Sequence, residues 1–301
     1  AFFCNSGAEA NEGAIKLARR WGEANGERYK IVSALGSFHG RTIGALSATG
    51  HKKYQRGFKP LVPGFKFVPY GRIEPLRKAL EDDRVCAVIL EPIQGENGVV
   101  LPPDDYLPQV RELCTRKNVL LILDEIQVGL GRTGRLFAYE HYGIEPDIMT
   151  LAKALGGGIP CGAVLAKDEV AMYLTPGSHG STLGGNPLAM HTGCAVLNTI
   201  LGDGLLDNAT RMGSYFLDEL KALQGQYAKL VKEVRGKGLI LGIEFRDKDK
   251  AKRVTGMCLE KRLLVILTQE KVIRILPPLV VKQEEIDFAL EKFHESLREI
   301  S

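Results

Sequence analysis

The sequence holds a single tryptophan, six cysteines that nowhere form a CxxC spacing, and no apolar run of membrane-spanning length. Each absence excludes something. Without paired spacing, Cys4, Cys86, Cys114, Cys161, Cys194 and Cys258 support neither a zinc site nor a dithiol redox motif. Most read instead as buried thiols of a reducing compartment, so the expected location is the cytoplasm and no metal is expected. The lack of a long apolar run argues against a spanning helix, and no signal-peptide pattern appears. No block of one charge sign occurs either. Lys and Arg number 40 against 36 Asp and Glu, a formal charge of +4, with no basic stripe to recruit nucleic acid. The densest charged stretch, RDKDKAKR at 246–253, alternates in sign and reads as a solvated loop or the start of a helix.

What is present is ordinary globular material. The 301 residues, 45% hydrophobic and 25% charged, suffice for a large core and two lobes. Short apolar runs at Tyr29–Ser33, Val85–Leu90, Val119–Leu123, Asp147–Leu151 and Gly162–Ala166 are continuous rather than alternating, as in strands buried on both faces. Amphipathic stretches at Glu9–Trp21, Ile73–Glu81 and Tyr106–Lys117 lie between them. Such alternation predicts an α/β domain around a mostly parallel sheet. Past about Leu201 the pattern changes to a long amphipathic stretch, a strand pair around LLVIL and VIRILPPLVV, and a last helix from about Gln283. The expected division is therefore a large domain over 1–201 and a smaller α+β domain over 202–301. Ala1 to Phe3 read as the end of a strand, so the chain is expected to begin inside a domain.

Several short motifs carry chemistry, each with an ordinary alternative. In NSGAEANE at 5–12, Ser6 and Glu9 have capping-box spacing, and Gly7 permits close backbone approach. That start is either a well-capped helix or an anion site. SFHGRT at 37–42 puts Phe38, His39 and Arg41 on one loop, where the arginine could grip a carboxylate in bidentate fashion or make a surface ion pair. LILDEIQ at 121–127 ends an apolar strand with two carboxylates, Asp124 and Glu125, either where open α/β sheets bind ligands or on an exposed turn that happens to be acidic. Glu91 ends another strand in EPIQGENGV, followed by Glu96. GLGRTG at 129–134 matches a dinucleotide fingerprint in letters only, because EIQV intervenes after the strand and no acid closes the next one. HGSTLGGNP at 179–187 offers hydroxyls for a phosphate or for a helix cap. Arg274, between Ile273 and Ile275, points to the opposite strand face and needs an acid or an anionic ligand there. Last, Lys153 in MTLAKALGGG puts a long cation where a chain leaving a strand needs only a turn.

Taken in order, NSGAEAN, FHGRT, EPIQGE, LDEIQ, LAKALGGG, HGSTLGGNP and IRILPPL resemble the class III aminotransferases, fold-type-I enzymes that depend on pyridoxal phosphate. The likeness runs nearly end to end and is nearest the acetylornithine/ornithine branch. It implies a large cofactor domain and a smaller C-terminal α+β domain. Relative to the family, this chain is expected to lack the segment that precedes the SGAEA turn. The resemblance makes Lys153 the covalent anchor of the cofactor and Asp124 the partner of its ring nitrogen. Gln127 would lie near the ring hydroxyl, Phe38 would stack on the ring, and Ser6, Gly7 and Ala8 would form the phosphate turn. Thr182 would reach the phosphate of a neighbouring subunit, which implies a homodimer with a shared active site. Arg274 would hold a substrate α-carboxylate, Glu96 would pair with that arginine, and Arg41 would provide a second carboxylate contact.

The implied reaction passes an ω-amino group from N-acetylornithine to 2-oxoglutarate, giving glutamate and N-acetylglutamate semialdehyde, a step of arginine biosynthesis. Ornithine, 4-aminobutyrate and carrier-linked lysine are rival donors, and an aminomutase would need no separate acceptor. From another class, a non-catalytic protein could retain the fold for binding or assembly. The presence of both Lys153 and Asp124 argues against that.

Overall fold

The computed structural model describes residues 1–301. The chain divides into two compact units. The first contains Ala1–Pro92, Pro102–Leu130 and Ala138–Asn198, and the second Ile93–Leu101, Gly131–Phe137 and Thr199–Ser301.

Strands β1 (Phe2–Cys4), β2 (Lys30–Ala34), β3 (Phe65–Val68), β4 (Val85–Leu90), β5 (Leu120–Asp124), β6 (Ile148–Leu151) and β7 (Gly162–Ala166) form the sheet of the first unit. Their order is β1-β7-β6-β5-β4-β2-β3. The pairs from β3 through β6 are parallel, while β7 is antiparallel to both β6 and β1. Helices α1 (Gly7–Ala24), α2 (Ile43–Ala48), α3 (Lys52–Gln55), α4 (Ile73–Ala79), α5 (Tyr106–Lys117) and α6 (Asp168–Ala171) belong to the same unit, and α7 (Pro187–Gly202) follows.

The continuously apolar strands have the cause inferred from the sequence. Ile31, Ile89 and Ile122 join a core with Ala10, Ala14, Leu17 and Trp21 of α1. Their neighbours Val32, Val88, Leu90, Leu121 and Leu123 enter a second core with Leu76 of α4 and Leu107, Val110 and Leu113 of α5. Successive strand residues point to opposite faces, so a strand covered on both sides must be apolar throughout. With helices on both faces, only the strand ends are left to carry polar chemistry.

The second unit is built on an antiparallel sheet of β8 (Val231–Lys237), β9 (Ile240–Phe245), β10 (Ile266–Thr268) and β11 (Val272–Ile275), in the order β10-β11-β9-β8. Helices α8 (Leu205–Gln226), α9 (Lys248–Glu260) and α10 (Gln283–Arg298) contribute Phe216, Val254 and Phe293 to a core with Ile243 and Ile273. The charged stretch 246–253 opens α9, with the Asp247 side chain capping the N–H groups of Asp249 and Lys250. No helix is long and apolar enough to cross a membrane.

Candidate active site

The start of α1, the loop after β2 and the ends of β4, β5 and β6 surround one cavity of about 500 Å³ in the first unit. Ser6, Gly7, Ala8, Phe38, Arg41, Asp124, Gln127 and Lys153 all line it.

Ser6 is the N-cap of α1, and its side chain accepts from Glu9 N at 3.2 Å. The capping box is displaced by one residue, because the Glu9 carboxylate reaches Asn5 N, at 2.8 Å, rather than Ser6 N. The first intrahelical bond runs from Ala10 N to Ser6 O, so the N–H groups of Gly7 and Ala8 precede the ladder. Helix starts of this kind attract anions. Gly7 has a steric reason to lack a side chain, since an added Cβ would lie 2.9 Å from Ile126 Cδ1, itself part of the lining.

Asp124 closes β5 and is 4% exposed. Its Oδ2 accepts from Asn11 Nδ2 and lies against His39 Nδ1, both at 2.8 Å, and its Oδ1 accepts from Ile126 N at 3.1 Å. A carboxylate only accepts, so the His39 contact puts the imidazole proton on Nδ1. Asn11 is fixed in turn by Thr150 Oγ1, which donates to its Oδ1 at 2.9 Å. The acid is thus oriented by donors on α1, on the loop after β2 and in its own chain.

The loop bearing Phe38 is held by the second strand-end acid. Glu91 Oε2 accepts from Phe38 N at 3.0 Å, and His39 N donates to Thr49 Oγ1 at 2.9 Å. The Arg41 guanidinium lies 4.1 Å from the Tyr54 ring centroid and 5.3 Å from that of Phe38.

Lys153 follows β6 after Ala152 and has φ 48°, the left-handed region that residues with a Cβ avoid. Such backbone costs on the order of 1–3 kcal/mol and tends to persist at functional sites. A short 3₁₀ turn at Lys153–Gly156 ends at Gly157, whose φ is 54°. An added Cβ at Gly157 would meet Val196 Cγ2 at 2.9 Å. The glycines therefore turn the chain in little space while Lys153 faces the cavity.

Thr182 is not in the lining. It sits on an exposed loop in the same unit, tied to the start of α1 by Asn5 Nδ2, which donates to Ser181 Oγ at 3.1 Å. Glu96 and Arg274 lie in the second unit, paired with each other, Arg274 Nη1 to Glu96 Oε2 at 3.2 Å. Ile273 enters the core while Arg274 takes the opposite strand face, as the alternation predicts. Its register partner on β9 is Gly242, where a Cβ would meet Val99 Cβ at 3.0 Å. Arg235 clamps the same loop, its Nε donating to Gly98 O at 3.1 Å and Val99 O at 3.0 Å.

One buried polar residue of the site was not singled out in the sequence, and one strand-end carboxylate was seen there without its burial. Asn11 sits on the apolar stripe of α1, four residues after Gly7, and an amide among Ala10, Ala14 and Leu17 is the signal that could have found it. Glu125 is 1% exposed, and burial pushes its carboxyl up to about 8 against the pull of the N–H groups of Ala138 and Tyr139 that it accepts.

A model of the class-III aminotransferase family matches residues 1–297. The acetylornithine aminotransferase of Caldanaerobacter subterraneus subsp. tengcongensis is 53% identical over 301 residues, covering 99% of this chain and 76% of that protein. That of Methanocaldococcus jannaschii is 49% identical over 310 residues, covering 100% of this chain and 75% of that protein. Among solved structures, the ornithine aminotransferase of Toxoplasma gondii superposes with a TM-score of 0.96 at 39% identity, covering 99% of this chain and 72% of that one. A second structure of the T. gondii enzyme is described with pyridoxal phosphate partially occupying its active site; it has a TM-score of 0.94 at 39% identity and covers 98% of this chain and 72% of that one.

Proposed function

We propose, from the premise that this chain belongs to the class-III aminotransferases and is a pyridoxal-phosphate-dependent transaminase, that it moves the ω-amino group of N-acetylornithine to 2-oxoglutarate. The products are N-acetylglutamate semialdehyde and glutamate. The donor assignment is supported by likeness to acetylornithine aminotransferases at 53% and 49% identity. The observation that carries the chemistry is that Lys153, Asp124 and the start of α1 line a single cavity.

The residues present fit the cofactor. Its phosphate matches the N–H groups of Gly7 and Ala8 and the Ser6 hydroxyl. Its ring nitrogen matches Asp124, an acid held by an amide, an imidazole and a backbone N–H. Its ring matches Phe38, its ring hydroxyl Gln127, and its aldehyde the amine of Lys153. Bound, pyridoxal phosphate supplies an electron sink for the carbon bearing the substrate amine.

The chain's own residues do the rest. Asp124 holds a proton at the ring nitrogen, and the Asn11 and His39 contacts keep its Oδ2 in place. Lys153 Nζ, on a backbone bent toward the cavity, takes the proton from the amine-bearing carbon and returns it one atom away. Arg41 and Arg274 receive substrate carboxylates. Glu96 covers Arg274 for one substrate and releases it for the other, so the enzyme serves two substrates in turn. In this reading residues 1–201 carry the cofactor chemistry and 202–301 supply Arg274.

The enzyme works as a homodimer in the cytoplasm. α7 has no Asp, Glu, Lys or Arg, and Leu183 at its approach and Leu188 in its first turn are 66% and 63% exposed, as suits a face covered by a second copy. Thr182, exposed on that loop, serves the neighbouring cavity. Light scattering on the holoenzyme tests this, with twice the chain mass expected.

A donor screen read as glutamate formation tests the reaction. N-acetylornithine with 2-oxoglutarate is expected to exceed ornithine and 4-aminobutyrate by about ten-fold or more in kcat/KM, the scale of a single well-used contact. A preference for ornithine, the donor suggested by the TM-score of 0.96, would overturn the donor assignment. Turnover without 2-oxoglutarate would indicate a mutase. A protein that stays colourless with added pyridoxal phosphate would be a non-catalytic relative.

A further inference from the structure

Arg41 lines the mouth of the cavity and is exposed, yet neither an ion pair nor a hydrogen bond holds its guanidinium. What locates it is aromatic. Its central carbon lies 4.1 Å from the Tyr54 ring centroid and 5.3 Å from that of Phe38. The two rings brace each other edge to face, with centroids 5.6 Å apart and planes at 83°. Tyr54 is braced again by buried His51, at 5.3 Å and 65°. A second cation, the Lys53 ammonium, lies 4.8 Å from the Tyr54 ring.

This seat has a chemical consequence. An arginine held by a carboxylate spends N–H donors on its holder and must break that pair before it can take a ligand. One held by ring faces keeps all of its in-plane donors and its full charge. Bidentate capture of a carboxylate uses that in-plane fork, which leaves the π-face of the guanidinium for the ring. The seat also lowers the rotamer entropy lost when the ligand binds, since the side chain is already restrained at the cavity mouth.

We infer that Tyr54 is the positioning residue of the substrate-carboxylate site, a ring that pre-orients Arg41 while leaving its donors free. Because Phe38 leans on the same ring, Tyr54 couples the carboxylate site to the aromatic at the cofactor. The inference rests on the reading of Arg41 as a carboxylate contact, and the test separates the two.

The holoenzyme and its Y54L, Y54F, R41Q and R41Q/Y54L forms are compared by steady-state KM and kcat for donor and acceptor. Calorimetry gives the Kd of glutarate, a dicarboxylate with no reacting group. Melting temperatures identify any variant that has lost its fold, and Y54F, which keeps the ring, is the foldable control. Removing a cation–π seat at an exposed site is expected to weaken glutarate and raise the KM of the substrate that uses Arg41 by about five-fold in Y54L, with kcat nearly constant. Y54F stays within about two-fold of the parent because a phenyl face still faces the guanidinium. In the R41Q background the Tyr54 change adds nothing. Should R41Q weaken glutarate while Y54L leaves it untouched, the positioning role is wrong and the carboxylate site stands. Equal losses from Y54L with and without Arg41 also overturn the positioning role. If R41Q itself binds glutarate as the parent does, the carboxylate site is wrong and the inference falls with it.

Discussion

Two acids in this chain are held in opposite ways. Asp124 is 4% exposed and takes its donors from an amide, an imidazole and a backbone N–H. The Glu96 side chain is 29% exposed and meets a full cation, Arg274, at 3.2 Å. Donors on several sides of a buried acid fix the direction in which it meets a ligand. The Glu96–Arg274 pair is different: Glu96 is part-exposed, so water can take its place, while the buried Arg274 keeps a charge that calls for an anionic partner. The first arrangement suits an anchor and the second a clasp that opens. Neither burial nor charge alone predicts this; the kind of partner decides it.

The largest expected effect breaks the anchor side. Lys153→Ala is expected to lower glutamate formation by about 10²–10⁴-fold, the range for a lost proton-transfer group. Borohydride should then add no cofactor mass to the variant, whereas the parent gains it on Lys153. Next, Asn11→Leu removes a donor from Asp124 and strands the Thr150 hydroxyl. Each buried polar group left without a partner costs about 1–3 kcal/mol, so chemical denaturation should show a loss of that order. A loss no larger than that of a surface change would mean Asp124 is oriented by His39 and Ile126 N alone. On the clasp side, Glu96→Ala should shift the ratio of the two half-reaction rates by several-fold and should also lower stability, because the buried Arg274 guanidinium loses a carboxylate partner. Equal changes in both half-reactions would show that Glu96 is not a gate.

Much of this could be read from the sequence, for a physical reason. Continuous runs such as Val85–Leu90 and Leu120–Asp124 arise because both sheet faces are covered, and their ends are where acids become available. Ser6 and Lys153 sit in motifs whose local backbone demands, a cap and a turn, are written in adjacent residues. Long-range partnership was not legible in the local pattern: the family resemblance supplied the Glu96–Arg274 pair, and nothing supplied Asn11–Asp124. Asn11 meets Asp124 across 113 residues, and Arg274 meets Glu96 across 178. Alternation on β11 correctly put Arg274 on the polar face, but nothing local named its partner. The aromatic seat of Arg41 was equally hidden, because Tyr54 lies on a short helix with no periodic signal of its own.

A pH-dependent effect, read only as a slope, sharpens the comparison at its closest range, between Asp124 and its neighbour Glu125. Both are buried, but Glu125 is met by the backbone N–H groups of Ala138 and Tyr139, each at 2.9 Å, with no cation or side-chain donor among these contacts. Burial outweighs those bonds and raises its carboxyl to about 8. In the unfolded chain a glutamate titrates near 4.3. The folded form therefore holds the proton more tightly, and its contribution to stability is complete below about pH 4.3 and lost as pH rises through about 8. Between pH 6 and 7 that slope can reach at most about 1.4 kcal/mol. Glu125→Gln removes the titration. It also turns an amide N–H toward one of the two backbone donors, so the variant should be less stable at low pH by a constant amount. The readout is the slope of unfolding free energy against pH, which should flatten in the variant over pH 5–8. A parent slope that the substitution leaves intact would mean Glu125 is ionised across this range, its two backbone donors holding the charge as firmly as the side chains hold Asp124.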